Sequence, residues 1–142
     1  MAIVRNFSEC LSSRQWSSAE DDMPSEARLF VDAVRETGMM DKDATIVVGV
    51  LRWQQKSGMG EHSDNHADTA ITFYINDAWK DNWFGDLIFY ETEEDYERGF
   101  GRSVTPCPNR LVINRDTVMH KVTYCSELAV ERVTVQGFVL KE

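Results

Sequence analysis

The chain has 142 residues, of which 42% are hydrophobic and 27% are charged, as in most soluble globular proteins. No apolar run approaches the ~18 residues that cross a bilayer, so we expect no membrane partner. The formal net charge of −9 argues against a nucleic-acid partner, because binding phosphates requires clustered Lys and Arg. The three cysteines form no C-x-x-C and favour a reducing, cytoplasmic location. We expect one domain over residues 1–142, with an arm and helix at 1–43 and the core at 44–142.

The first predicted regular element is a helix at about 24–37. Pro24 suits the first position of a helix, and Gly38 is a plausible stop. Apolar residues recur at helical spacing between them, namely Leu29, Phe30, Ala33 and Val34. The segment before the helix, 1–23, is polar and predicts an irregular arm.

From residue 44 the hydrophobic pattern changes to a period of two, which is typical of strands. The predicted strands are 44–53, 69–76, 84–90, 110–114, 118–125 and 129–140. Turn signals such as SGMG and PCPN separate them, and we interpret the acidic run ETEEDYE (91–97) as a solvated hairpin tip. One helix followed by many strands predicts a mainly β sandwich or barrel with the helix packed on one face.

Two predicted strands combine an apolar face with a polar face that includes chemically versatile side chains. Thr72, Tyr74 and Asn76 share one face of the strand at 69–76. The corresponding face at 129–140 consists of Arg132, Thr134, Gln136 and Phe138. These faces fit exposure to water, and they also fit the lining of a small barrel, where a buried arginine requires an anion. Alternation alone does not decide between the two interpretations.

The histidines add a chemical signal. His62 and Asp64 form an H-x-D directly before a predicted strand, and His120 lies in a later strand. Each is common by chance, and a strand histidine is often structural. Together, two imidazoles and one carboxylate can form the facial triad of a non-haem iron site. The remaining histidine, His66, is predicted to be an exposed turn residue.

With these residues in place, the stretch from about 44 to 140 resembles the prolyl 4-hydroxylase-like branch of the Fe(II)/2-oxoglutarate-dependent dioxygenases. Five segments carry the resemblance in the family's order, and these are RWQQKSGMGEHSDN, TFYINDAWKDNWFGDLIFYE, VTPCPNRLVINRD, HKVTY and ERVTVQGF. The sequence departs from the family at Gly85-Asp86, where two glycines are common, and at Phe138, near a frequent tryptophan.

The resemblance implies a double-stranded β-helix (jelly-roll, cupin-like) core that uses Fe(II), 2-oxoglutarate and dioxygen. It implies that the metal ligands are His62, Asp64 and His120. It further implies that Arg132, Tyr74 and Thr134 hold the distal carboxylate of 2-oxoglutarate, whereas the role of Arg52 or Trp53 stays unassigned.

The activity implied by the resemblance is hydroxylation of a C–H bond, with a prolyl residue in a peptide or protein as the leading substrate and other residues, free amino acids or small metabolites as the alternatives. Two other functions stay open from the sequence. One is a cupin-like metal-binding or interaction module without turnover, and the other is a nucleic-acid oxidative demethylase. The sequence does not indicate the oligomeric state.

Overall fold

The computed structural model describes residues 14–115 and 118–141, and it contains two antiparallel sheets. The strands are β1 (Trp16–Ser17), β2 (Ile46–Trp53), β3 (Met59–His62), β4 (Ala67–Tyr74), β5 (Leu87–Phe89), β6 (Arg102–Val104), β7 (Leu111–Arg115), β8 (His120–Val122) and β9 (Arg132–Leu140). The major sheet has the order β1-β2-β9-β4-β7, and the minor sheet has the order β3-β8-β5-β6. Two helices, α1 (Ser25–Glu36) and α2 (Glu93–Arg98), complete the described elements together with a 3-10 turn at Asp81–Trp83.

The two faces of the major sheet differ, because successive side chains of β4 and β9 point alternately to one face and to the other. Ile71 of β4 and Val135 of β9 are fully buried against α1 in the hydrophobic core. Thr72 and Thr134, one residue away from each, point to the other face and line a cavity between the sheets. The polar faces of these strands therefore line the interior, as the barrel interpretation of the sequence requires.

Helix α1 covers the major sheet with a stripe centred on Ala27, Val31 and Val34, each at most 1% exposed. Each buried valine contributes roughly 1.5–3 kcal/mol relative to an exposed one. The predicted stripe was wrong at Leu29 and Ala33, which face solvent because positions 27, 31 and 34 define the buried side.

The ends of α1 lie within one residue of those predicted. Pro24 is the N-cap, with an extended ψ of 146°, rather than the first helical residue. Thr37 caps the C-terminus, and Gly38 follows with a φ of +67°, a conformation that glycine adopts without a steric penalty. Within the described residues, neither helix is long and apolar enough to cross a membrane.

Several elements differ from the sequence prediction. Strand β1 lies within the segment 14–23 that was predicted to be irregular, while residues 1–13 and Cys10 with them lie outside the described part of the chain. Strand β3 occupies part of the predicted SGMG turn, and β6 was not predicted. The run at 91–97 lies in the exposed connection of the β5–β6 hairpin, as predicted, but it contains a helix that was not predicted, since α2 begins at Glu93 after the N-cap Thr92.

Candidate metal centre

The structure brings together the three residues proposed from the sequence as metal ligands. His62 is the last residue of β3, Asp64 follows in the adjoining turn, and His120 is the first residue of β8. Because β3 and β8 are paired with His62 opposite His120, the two imidazoles meet although 58 positions separate them in the chain. One ligand atom from each of the three residues lies within 4.8 Å of the others.

Both imidazoles present the same nitrogen to the centre of the site. The Nε2 atoms of His62 and His120 lie 3.8 Å and 3.4 Å from the two carboxylate oxygens of Asp64. Each Nδ1 lies 2.8 Å from a backbone carbonyl oxygen two residues earlier, that of Gly60 or Val118. A neutral histidine that donates its Nδ1–H to a carbonyl keeps the Nε2 lone pair free, and this is how ligating histidines are commonly oriented.

The site is accessible from one side and closed on the other. The His62 side chain is 31% exposed, whereas those of Asp64 and His120 are 12% and 9% exposed. Two cavities meet at the triad, and both are lined by Asp64 and His120. We call the larger one, about 100 Å³, the cationic cavity because Arg132 lines it. The smaller one, about 70 Å³, is called the apolar cavity because apolar side chains make up half of its lining and none of the described lining residues is Lys or Arg.

Arg132 is 2% exposed and lies at the first position of β9. Its guanidinium carbon is 5.4 Å from the ring of Trp53 and 5.1 Å from the ring of Tyr74, so two aromatic side chains flank the cation. Along the described chain, no carboxylate forms an ion pair with it. Burial lowers the pKa of Arg132, as expected of a cation that has lost its hydration.

The backbone beside Arg132 favours glycine. Gly85 has a φ of +73°, and a Cβ atom there would lie 3.2 Å from Cδ of Arg132 and 3.0 Å from Sγ of Cys125. Of the two positions where glycines are common in the family, this sequence has glycine at Gly85, which packs against the arginine, and aspartate at Asp86.

Four buried polar atoms in or next to the cationic cavity have no hydrogen-bond partner in the described part of the protein; three belong to residues that line the cavity, and the fourth belongs to Tyr74, which lies against Arg132 and is not part of the lining. They are Trp53 Nε1, Tyr74 Oη, Arg132 Nε and Thr134 Oγ1. Burial also raises the pKa of Tyr74, so its phenol is protonated at neutral pH and available as a donor. Buried polar atoms without partners are costly, and a carboxylate bound among them would satisfy several at once. The residues present therefore fit an anionic cosubstrate next to the metal.

Two residues that the sequence analysis did not assign contribute to this site. Trp53 lines the cationic cavity and contacts Arg132, and its position on β2 opposite Arg132 in the β2–β9 pairing accounts for the contact. Gln136 lines both cavities, and its Oε1 accepts a hydrogen bond of 3.0 Å from Thr72. The alternation of β9 places Gln136 on the same face as Arg132, which is the signal that identifies it. His66 is an exposed turn residue outside the triad, as predicted, and its ring packs on Phe138.

Two histidines and one carboxylate between two sheets, beside a buried cation, are the residue types that hold a single iron in enzymes with a 2-His-1-carboxylate triad. The profile of the 2OG-Fe(II) oxygenase superfamily matches residues 48–140, and the chain belongs to this superfamily. It is a 2-oxoglutarate-dependent dioxygenase that uses Fe(II), 2-oxoglutarate and dioxygen, which confirms the predicted enzyme class and cofactors. A search of curated proteins found no match to the sequence.

Solved structures of similar fold confirm the predicted double-stranded β-helix. A prolyl 4-hydroxylase from Pseudomonas putida superposes with a TM-score of 0.73 at 15% identity, covering 99% of this chain and 77% of the other. HygX from Streptomyces hygroscopicus, solved with nickel and 2-oxoglutarate bound, gives 0.66 at 13% identity, with 99% and 78% covered. A Trichoplax adhaerens prolyl hydroxylase in complex with a peptide fragment of the hypoxia inducible factor oxygen degradation domain gives 0.59 at 14% identity, with 89% and 61% covered.

Proposed function

We propose that this dioxygenase hydroxylates a prolyl residue in a peptide or protein. In this proposal His62, Asp64 and His120 bind Fe(II), because their ligand atoms converge and both histidines offer Nε2. Three protein ligands leave open coordination positions on the metal. When bound there, the iron couples oxidative decarboxylation of 2-oxoglutarate, which gives succinate and carbon dioxide, to insertion of one oxygen atom of dioxygen into a C–H bond.

The proposed site for 2-oxoglutarate is the cationic cavity. Arg132 has two parallel N–H donors for the distal carboxylate, while Tyr74 and Thr134 supply hydroxyl groups that have no other hydrogen-bond partner among the described residues. Trp53 is a further donor through its buried indole N–H. Because these groups lie on β2, β4 and β9, paired strands of one sheet, they hold the cosubstrate in a fixed orientation toward the triad.

The observation that carries the substrate proposal is the difference between the two cavities. The apolar cavity touches the same two ligands, Asp64 and His120, but the side chains that complete its lining are uncharged. They include Ala70, Leu87, Phe89, Val112 and Ile113. An uncharged, compact group such as a pyrrolidine ring suits this lining, whereas a charged side chain would lose its hydration there without an ionic partner. Two of the structurally similar proteins are prolyl hydroxylases, and one was solved with a peptide.

We also propose that the chain functions as one domain over 1–142 and in the cytoplasm. The support for one domain is that α1 and three strands of the major sheet, β2, β4 and β9, share a continuous core, against which partly buried residues of β1 and β7 pack. The support for a reducing compartment is that Cys107 and Cys125 are free thiols. The net charge of −9 supports a peptide in preference to a nucleic acid.

The first experiment is an anaerobic titration of the apo-protein with Fe(II) and then with 2-oxoglutarate. We expect the weak visible charge-transfer band of the chelate only when both are present, and no band in Asp64→Ala. Binding of metal without this band would contradict the proposed cosubstrate site and would favour a metal-binding module without turnover.

The second experiment tests the substrate with two peptides that differ only at one position, proline in one and alanine in the other. We expect succinate release to rise with the proline peptide and its mass to increase by one oxygen atom. Equal stimulation by both peptides, or oxygen found on another residue, would contradict the prolyl assignment and leave the dioxygenase class intact.

A further inference from the structure

Behind the metal site, on the outer face of the minor sheet, lies a cluster that the proposed chemistry does not use. It consists of Glu61, Tyr90, Tyr96 and Lys121, and we call it the outer cluster. The ammonium of Lys121 lies 3.0 Å from Oε1 of Glu61, and the hydroxyl of Tyr96 donates to Oε2 of Glu61 at 3.2 Å. Both carboxylate oxygens of Glu61 are therefore occupied, one by β8 and one by α2.

The aromatic side chains close the cluster. The ring centroids of Tyr90 and Tyr96 lie 5.3 Å apart in an edge-to-face arrangement, and the ammonium of Lys121 lies 5.7 Å from the Tyr90 ring centroid. Tyr90 is 5% exposed and its backbone N–H donates to the carbonyl of Met119, the residue before His120. The cluster thus connects β3, β8, the end of β5 and α2.

The position of the cluster in the chain relates it to the metal site. Glu61 directly precedes His62, and Lys121 directly follows His120. His120 and Val122 line the cationic cavity, so alternation directs Lys121, between them, to the opposite face. The ion pair therefore joins the two ligand-bearing strands from behind.

The pairing of these strands is irregular at this point. Met59 is opposite Val122 and His62 is opposite His120, so three steps along β3 match two steps along β8. This irregularity brings both Met59 and His62 to the cavity, although alternation would direct residues three apart to opposite faces. A register shift in a strand of four residues leaves few backbone hydrogen bonds to fix the position of His62.

We propose that Glu61 and Lys121 are positioning residues, and that their ion pair, held by Tyr96, fixes the separation of His62 and His120 for metal binding. This inference depends on the proposed assignment of these two histidines as ligands. The ion pair replaces the backbone constraint that the register shift removes, and it also connects α2 to the metal centre. The acidic segment 91–97 thereby has a structural role at the active site.

The test measures metal binding by the apo-protein with Mn(II) and Co(II), without turnover. We expect Lys121→Met and Glu61→Gln each to weaken Mn(II) binding roughly threefold to fivefold, the upper range for a partly exposed ion pair. We expect the double variant to be no weaker than either single variant, because both remove the same interaction. The ligand-field spectrum of bound Co(II) should differ from that of the wild-type protein in both single variants and in the double variant. Lys121→Arg keeps the positive charge, so its spectrum should match that of the wild-type protein.

A matched control is Lys56→Met, which removes the 2.7 Å surface ion pair between Lys56 and Glu127. Both residues lie outside β3 and β8, the strands that carry the two histidines. We expect wild-type metal affinity and a wild-type Co(II) spectrum. Tyr96→Phe, which removes only the hydroxyl, should change the spectrum in the same direction as Glu61→Gln. An unchanged spectrum in that variant would refute the role of α2.

The proposal is wrong if Lys121→Met lowers the melting temperature but leaves the Mn(II) affinity and the Co(II) spectrum unchanged, because the pair would then be only structural. Failure of the ligand assignment has a different signature. If His120 is not a ligand, the His120→Ala protein will still bind metal. The outer-cluster variants test something else, namely a several-fold decrease of Mn(II) affinity in a protein that keeps all three proposed ligands.

Discussion

Replacing Arg132 by methionine should weaken the binding of 2-oxoglutarate while the melting temperature of the apo-protein stays equal or rises. The variant therefore distinguishes a role in cosubstrate binding from a role in folding. Truncating one partner of a buried, hydrogen-bonded charge pair costs about 2–5 kcal/mol. At 1.4 kcal/mol per factor of ten, 2-oxoglutarate should bind roughly 30-fold to several thousand-fold more weakly. The metal chelate remains, so binding should be weakened and not abolished. The affinity for Fe(II) alone should not change, since Arg132 is not in the triad.

The apo-protein should not lose stability in this variant. Arg132 is 2% exposed and has no ion-paired carboxylate among the described residues, and burial lowers its pKa. The cause of the lowered pKa is lost hydration, which no ion pair among the described residues replaces. Methionine keeps much of the volume without the charge, so the melting temperature should be equal or higher.

The assay for Arg132→Met is the anaerobic titration described above, together with thermal unfolding of the apo-protein. Arg102→Met is a suitable control, because Arg102 is a surface arginine with a 70% exposed side chain paired with Glu91. The reasoning would be refuted by unchanged 2-oxoglutarate affinity, or by equal losses of Fe(II) and 2-oxoglutarate binding. A large fall in melting temperature would show that the arginine stabilises the fold.

Three further variants test other parts of the structure. His120→Ala should abolish Fe(II) binding and turnover without loss of the fold, and an unfolded circular dichroism spectrum would show the histidine to be structural. Tyr74→Phe removes a hydroxyl group that has no hydrogen-bond partner among the described residues, so 2-oxoglutarate affinity should fall by about 0.5–1.5 kcal/mol, with apo stability unchanged in thermal unfolding. Ile71→Ala opens a cavity under α1 and should cost about 2–5 kcal/mol in urea unfolding, while the metal affinity of the folded protein stays constant.

The long strands and the main helix were predictable from the sequence because their patterns extend over many residues. β2, β4 and β9 contain eight or nine residues each, and each overlaps a predicted strand. β1, β3 and β6 contain two to four residues and lie in no longer alternating run, unlike the equally short β5 and β8, which fall within the runs 84–90 and 118–125. They form because neighbouring strands supply hydrogen-bond partners, and such partners are not visible in the local sequence.

Helix α2 was not predicted either, and the reason differs from that for the short strands. Its six residues, Glu93–Arg98, include no buried side chain, so it has no apolar stripe. Its ends do carry signals, since the hydroxyl of Thr92 accepts from the backbone N–H of Asp95 and Gly99 adopts a φ of +71°. Capping residues at this spacing would have predicted a short helix within the hairpin tip that the acidic composition predicted.

The candidate site was predictable to the extent that chemistry constrains residue type. Alternation placed Arg132, Thr134 and Tyr74 on polar faces, but the same pattern describes a strand exposed to water. The histidines favoured the barrel lining over a face exposed to water, because a metal site between the sheets requires the polar side chains that face it to point inward. Trp53 was not assigned because its role depends on the β2–β9 register, which sets it opposite Arg132 and which no local pattern encodes.

The register of β9 also explains why one strand can serve both the core and the site. Its odd-numbered residues Val133, Val135 and Val139 pack toward α1, while Arg132 and Thr134 face the metal cavity. A shift of one residue would exchange these faces, burying arginine under the helix and placing valines beside the cosubstrate. Burial of valine on one side therefore fixes the position of the cation on the other. In this enzyme the hydrophobic effect under α1 thereby sets the position of the arginine in the proposed anion site.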